Sequence, residues 1–236
     1  MTGPTTSGKA FAAANAAMVR GVDGASTVHV LLADCVELMG ADTAGILIHL
    51  GEQGNELLAA TSHAATALEL YQSQAGRGPC VEAIETGRSV FASGADELTE
   101  RWPDFGRAMT AATLTTVHAE PMRWHGRVLG GVNLFWTATK VLSRAEQELA
   151  QAFADICSLA LMQLHVDDPG TIGEQMRSAL QGRVVIERAK GVLAQREDLD
   201  MGEAFARLVQ LSRDSDVPLA TLAQQILADI GSARRS

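Results

Sequence analysis

The sequence predicts an α+β fold class: an antiparallel sheet flanked by helices, followed by an all-α segment of three helices. Two pairs of short apolar runs carry the sheet. Gly45 to Leu50 with Glu56 to Thr61, and His118 to Arg123 with Val128 to Trp136, are of strand length and joined by glycine-bearing turns, so each pair reads as a hairpin. The stretches around them place apolar residues three and four apart, the spacing of one helix face. Beyond Asp167-Asp168-Pro169-Gly170 only the helical spacing remains.

Taken in order, residues 1 to about 9 are polar and glycine-bearing and read as a frayed start, with an alanine-rich helix from Ala10 to Arg20. A second helix begins near Ser26, read as its cap, places Val28, Leu31, Leu32, Cys35, Leu38 and Met39 inward, and ends at Gly40. The first hairpin follows, then a helix from Ala64 to Ala75. Pro79 suits a first helical position and Gly87 the left-handed residue after a last one, which predicts a two-turn helix between them. Val90 and Phe91 form a short strand, and Pro103 opens a helix from Trp102 to Ala112. In the second hairpin, Gly130 and Gly131 imply a bulge or a close approach by another group. Ser143 and Glu146 form a capping box that starts a helix running to about His165, whose apolar residues, including Ala152, Leu159, Leu161 and Met162, exceed one face. The three tail helices span about 172–196, 201–213 and 219–230, with Asp200 and Pro218 as start signals.

The chain is long enough for one domain with a full core and a smaller one, and with 47% apolar and 20% charged residues it is ordinarily globular. Its net charge of −9 is uneven: residues 1–170 carry 10 basic and 19 acidic side chains, whereas 171–236 carry 9 of each. A neutral tail on an acidic body suits a polyanion partner. No apolar run reaches membrane-span length and the N-terminus lacks the pattern of a signal peptide, so a cytoplasmic protein without a membrane partner is expected. Cys35, Cys80 and Cys157 read as free thiols, and the six histidines show no ligand spacing, so neither a metal nor a cofactor is expected.

The candidate site lies in Leu180 to Gly191. At 100° per residue Arg183, Glu187 and Lys190 fall within about 60° of one another, and Val185, Ala189, Val192 and Leu193 lie opposite. Ile172, Met176, Ala179 and Leu180 project toward the charged side, so the apolar stripe is expected to change faces near Gly182, and the upstream part to pack on another helix of the chain or of a second subunit. The charged set reads either as a solvated face with an Arg183–Glu187 pair or as a polyanion contact.

Residues 25–165 resemble a GAF domain of the actinobacterial kind through Gly76-Arg-Gly-Pro-Cys-Val-Glu-Ala-Ile-Glu-Thr-Gly87, Arg101-Trp-Pro-Asp-Phe105 and Leu129-Gly-Gly-Val-Asn-Leu-Phe135. Residues 175–230 resemble an ANTAR domain through Ala179-Leu180, Arg183, Ile186-Glu187, Ala189-Lys190-Gly191, Glu203-Ala204-Phe205, Leu208 and Leu222-Ala223. The resemblance divides the chain into a tail and helix (1–24), a GAF sensor domain (25–166), a linker (167–171) and an ANTAR domain (172–231). It implies a dimeric transcription antitermination regulator that is not an enzyme and binds tandem stem-loops in nascent RNA. Arg183, Glu187, Ala189, Lys190, Gly191 and Arg213 are the implied RNA-binding residues. Cys80, Trp102, Gly130 and Gly131 would line a pocket for a small molecule of unknown identity. Two alternatives stay open: a GAF-fold redox enzyme using Cys80, in the manner of the free methionine sulfoxide reductases, and a protein-interaction module.

Overall fold

The computed structural model describes residues 4–20, 22–162 and 169–233. Five strands form one antiparallel sheet in the order β2-β1-β5-β4-β3: β1 (Thr43–His49), β2 (Asn55–Ala60), β3 (Val90–Ser93), β4 (Thr116–Trp124) and β5 (Arg127–Trp136). Both expected hairpins are present. The β4–β5 turn places His125 and Gly126 at positive φ, the geometry that matches the twist of a tight hairpin.

One face of the sheet packs on α1 (Pro4–Val19), α2 (Gly24–Met39) and α7 (Arg144–Leu161) through Ile46, Ile48, Leu134, Leu31, Leu32, Phe153 and Cys157. The other packs on α3 (His63–Ala75), α4 (Pro79–Thr86), α5 (Ala95–Arg101) and α6 (Pro103–Ala111) through Leu47, Leu68, Ile84, Phe105 and Phe135. The period-2 alternation of each strand supplies both layers, since neighbouring side chains point to opposite faces. The capping box at Ser143 and Glu146 is formed and Pro79 opens α4, as the sequence predicts.

Several expectations are corrected. The polar start is helical from Pro4 onward. Asp23, not Ser26, caps α2: its carboxylate accepts from the Ser26 N–H at 2.8 Å. Helix α5 has no counterpart in the sequence reading. Gly130 both adjoins a register shift in the β4–β5 ladder and lies so close to β1 that a Cβ there would fall 2.1 Å from the Leu47 carbonyl oxygen. The expected end of α7 near His165 and residues 167–168 of the expected linker lie outside the described residues, whereas its residues 169–171 belong to the helix that follows.

The C-terminal helices α8 (Pro169–Glu197), α9 (Met201–Ser215) and α10 (Leu219–Ala233) enclose their own apolar cluster of Ile186, Ala189, Leu193, Phe205, Leu208, Leu219 and Ala223. Val30 and Ala33 of α2 pack against that cluster, so α2 belongs to both cores.

Candidate nucleic-acid interface

Helix α8 does not change faces. Met176, Ala179, Ile186, Ala189, Lys190 and Leu193 are all buried, and their spacing keeps them on one continuous stripe with Gly182 in its middle. The upstream residues Met176 and Ala179 join the core of the sheet layer, with Ile172 and Leu180 packed beside them, so this stripe is covered within the chain and is not free for a second subunit. Gly182 sits where α8 meets α2: a Cβ there would lie 2.8 Å from the Ala25 Cβ, closer than carbon atoms pack.

Lys190, expected on the outer face, is 1% exposed. Its ammonium donates to both Glu187 carboxylate oxygens at 2.9 and 3.1 Å and stands 5.3 Å from the centre of the Phe205 ring. The physical reason is a local supply of partners: a carboxylate one turn back and an aromatic face from α9 let a long side chain bury its stem and satisfy its charge. Ala189, also expected at the interface, is fully buried packing. Gly191 is exposed with open space around it, and Arg183 is half-buried. Arg213, in the last turn of α9, pairs with Asp34 of α2. Burial raises the Asp34 pKa, and the Arg213 charge opposes that rise.

Three further contacts join α2 to the bundle. The Ser26 hydroxyl accepts from the Ala220 N–H at 2.8 Å, so α2 supplies the cap that Pro218 cannot give α10. His29 is fully buried, with its ring 6.1 Å from that of Phe205. Its Nδ1 lies 2.7 Å from the Ala25 carbonyl, which only accepts, so Nδ1 carries the proton and Nε2 is an acceptor without a partner. Burial pushes the His29 pKa down to about 4, against smaller upward pulls from the Ala25 hydrogen bond and Glu187. The solvent side of α8 is formed by Gln181, Val184, Arg188, Gly191 and Gln195, all exposed, and Arg196 is exposed beyond them. Arg188 had escaped the sequence reading because it lies outside the charged triad.

A family model for the GAF domain matches residues 25–162, and one for the ANTAR domain matches residues 174–227. The chain belongs to the GAF family. It carries an ANTAR domain after the GAF domain, both of them regulatory domain types. Among solved structures it is similar to the GAF domain of an Acinetobacter phosphoenolpyruvate-protein phosphotransferase, with 12% identity, a TM-score of 0.51, and coverage of 66% of this chain and 90% of that one. It is equally similar to the phycoerythrobilin-bound GAF domain of a cyanobacterial phytochrome, with 12% identity and a TM-score of 0.51 over 66% of this chain and 95% of that one. At such identity the likeness establishes the fold. No curated protein matches the chain.

Inside the GAF domain the expected pocket residues Cys80, Trp102, Gly130 and Gly131 are each packed closely against neighbours. Cys80 and Gly131 touch, and the position a Gly131 Cβ would take lies 2.8 Å from the Cys80 sulfur. Gly130 is pressed against β1, and Trp102 stands edge-on to Phe105 at 6.2 Å beneath the Arg101 guanidinium. Cys80 is fully buried and its N–H donates to Gln72 Oε1 at 2.8 Å. Burial, with the Glu69 charge second, raises its pKa well above the ordinary thiol value, the reverse of the activation a helix N-terminus would give.

The residue missed here is Glu69. It is fully buried, accepts from Asn133 Nδ2 at 2.6 Å and from Gln72 Nε2 at 3.2 Å, and burial lifts its pKa to about 8. The one sequence signal for it is Gly45, where a Cβ would meet the Glu69 Cγ at 2.5 Å.

Proposed function

We infer that this protein is a non-enzymatic, cytoplasmic transcription antitermination regulator that binds tandem stem-loops in nascent RNA through its ANTAR domain as a homodimer. The observation that carries the reading is the ANTAR match over 174–227, laid on a helix that presents Arg188 and Gly191 to solvent, with the half-buried Arg183 on the side of Glu187 and Lys190. Arginine guanidinium groups pair with phosphates and stack on unpaired loop bases, and a glycine on an open face admits a nucleic-acid backbone closely. Arg183, Glu187, Lys190, Gly191 and Arg213 remain the assigned RNA-binding set, with Arg188 added, whereas Ala189 supports them from within the bundle.

The redox alternative loses its support, because Cys80 is buried with a raised pKa. The GAF domain acts here as the regulatory half, whether through a small molecule or through dimerisation. No helix among the described residues is long and apolar enough to cross a membrane, in keeping with a nascent transcript as partner. The test is titration of a paired-hairpin RNA at several salt concentrations. Binding whose affinity falls steeply with salt supports the reading. Absence of binding at low salt refutes it and favours a protein-interaction module.

A further inference from the structure

The face of the ANTAR bundle that carries Lys190, Glu187 and Arg213 already has an occupant, and the geometry points to helix α2 of the GAF domain as a resident partner that masks this face from RNA. The inference rests on the RNA-binding reading above. It is drawn from four contacts on successive turns of α2: Ala25 seated against Gly182, Ser26 capping α10, His29 against Phe205, and Asp34 paired with Arg213. Val30 and Ala33 lie between them on the same apolar cluster.

The chemistry of the contact is that of a fitted interface. Arg213 spends its guanidinium on a carboxylate, the group that competes with phosphate for the same fork. Lys190, with its charge committed to Glu187, is closed to solvent. A buried, neutral imidazole lies beside them, adding no second positive charge to the Lys190 ammonium. The α2 side contributes the acidic partner and the α9 side the basic one, so in the docked face Lys190 is closed to solvent and the exposed Arg213 meets RNA only in competition with the Asp34 carboxylate. Arg188, on the opposite side of α8, stays accessible. The docked state therefore retains partial affinity, and release of α2 completes the site.

Two variants of the full chain test this, each read in two ways. Ser26→Cys with Ala220→Cys places a thiol pair across the contact in which the Ser26 hydroxyl and the Ala220 N–H are 2.8 Å apart, so that a disulfide formed on oxidation clamps α2 to α10, and touches no proposed RNA contact. Asp34→Arg sets like charges at the Arg213 pair and loosens the dock. The first readout is affinity for a paired-hairpin RNA. The second is the rate of Lys190 acylation by a small activated ester, which loses its alcohol as the amide forms, followed by mass spectrometry, which reports docking with no RNA present.

The expected result is that oxidation of the clamp lowers RNA affinity and slows Lys190 labelling, that reduction restores both in the same polypeptide, and that Asp34→Arg raises RNA affinity about fivefold or more, the scale of a coupling between two sites. Equal RNA affinity of the oxidised and reduced clamp overturns masking. Rapid Lys190 labelling in the parent, unchanged by Asp34→Arg, overturns the docking itself. Labelling that follows the clamp while no form binds RNA leaves the dock standing and sinks the RNA-binding reading beneath it.

Discussion

Replacement of Lys190 by alanine separates a structural lysine from a solvated one. On an open helix face the change costs no more than about 0.5 kcal/mol. In this structure it deletes a buried aliphatic stem, at about 0.8 kcal/mol for each buried CH₂, and removes a cation from the Phe205 ring, a contact of about 0.5–2 kcal/mol. It also strips Glu187 of its partner. Breaking a fully buried pair costs about 3–5 kcal/mol, but Glu187 is 30% exposed and water recovers much of that. Releasing the ammonium from burial offsets part of the remainder, leaving a net loss of about 2–3 kcal/mol. At about 2–4 °C per kcal/mol for a chain of this size, the melting midpoint should fall by roughly 4–12 °C. Lys190→Met, which keeps the stem, should lose about half as much. Thermal melts of both variants beside the parent, at two protein concentrations, give the measurement. A Lys190→Ala midpoint within about 2 °C of the parent would refute the buried placement and return Lys190 to the outer face.

The other predictions follow from equally local features. Gly182→Ala should gain about 1 kcal/mol of helix propensity and yet lower the midpoint, because its Cβ would stand 2.8 Å from Ala25; a rise on scanning calorimetry would show that α8 and α2 do not meet there. Arg188→Ala should leave the melt unchanged and reduce the salt slope of RNA binding by about one counterion, and an unchanged slope in fluorescence titrations removes Arg188 from the site. Glu69 binds its proton more tightly folded than unfolded, so its contribution is full below pH 4.5 and is lost as pH rises through about 8; urea midpoints across that range should decline in the parent and flatten in Glu69→Gln. His29 has the opposite sign: its folded pKa of about 4 lies below the usual 6.5, so stability is full above pH 6.5 and declines as pH falls toward 4, a slope that His29→Leu should remove.

The elements legible in the sequence were those with chemical punctuation. Pro79 and Gly87 bracket α4, Ser143 and Glu146 start α7, and Asp200 with Glu203 starts α9, each through hydrogen bonds that only certain side chains can make. Helix α5 lacked such a signal, because Leu98 is its one buried residue and a single inward side chain sets no period. The candidate site was less legible for a different reason. A helical wheel sorts residues by polarity, and on α8 the buried stripe includes a lysine whose partners lie one turn back and on another helix. Polarity likewise hid the outer face of α2, where Ser26, Thr27 and His29 are buried beside the expected Val28, Leu31 and Leu32. Gly182 was the available clue. A glycine inside a helix that ought to prefer alanine marks a place where another element comes close, and here it is the Ala25 methyl of α2.

Helix α2 thus carries the connection between the two domains. Its inner residues Val28, Leu31, Leu32, Cys35 and Met39 are embedded in the core beneath the sheet, and its outer ones hold the bundle. A rigid helix cannot move one face without moving the other, so any event in the GAF core that shifts α2 reaches Phe205 and Arg213 directly, without a chain of intermediates. The sign of the coupling is set by which state RNA prefers, because a ligand shifts an equilibrium only by its differential affinity for the two states. Under the masking proposed above, RNA takes the Arg213 guanidinium fully only where Asp34 of α2 has left it. On that proposal RNA binding draws α2 away, and by reciprocity whatever stabilises the seat of α2 in the GAF core weakens RNA binding by the same factor.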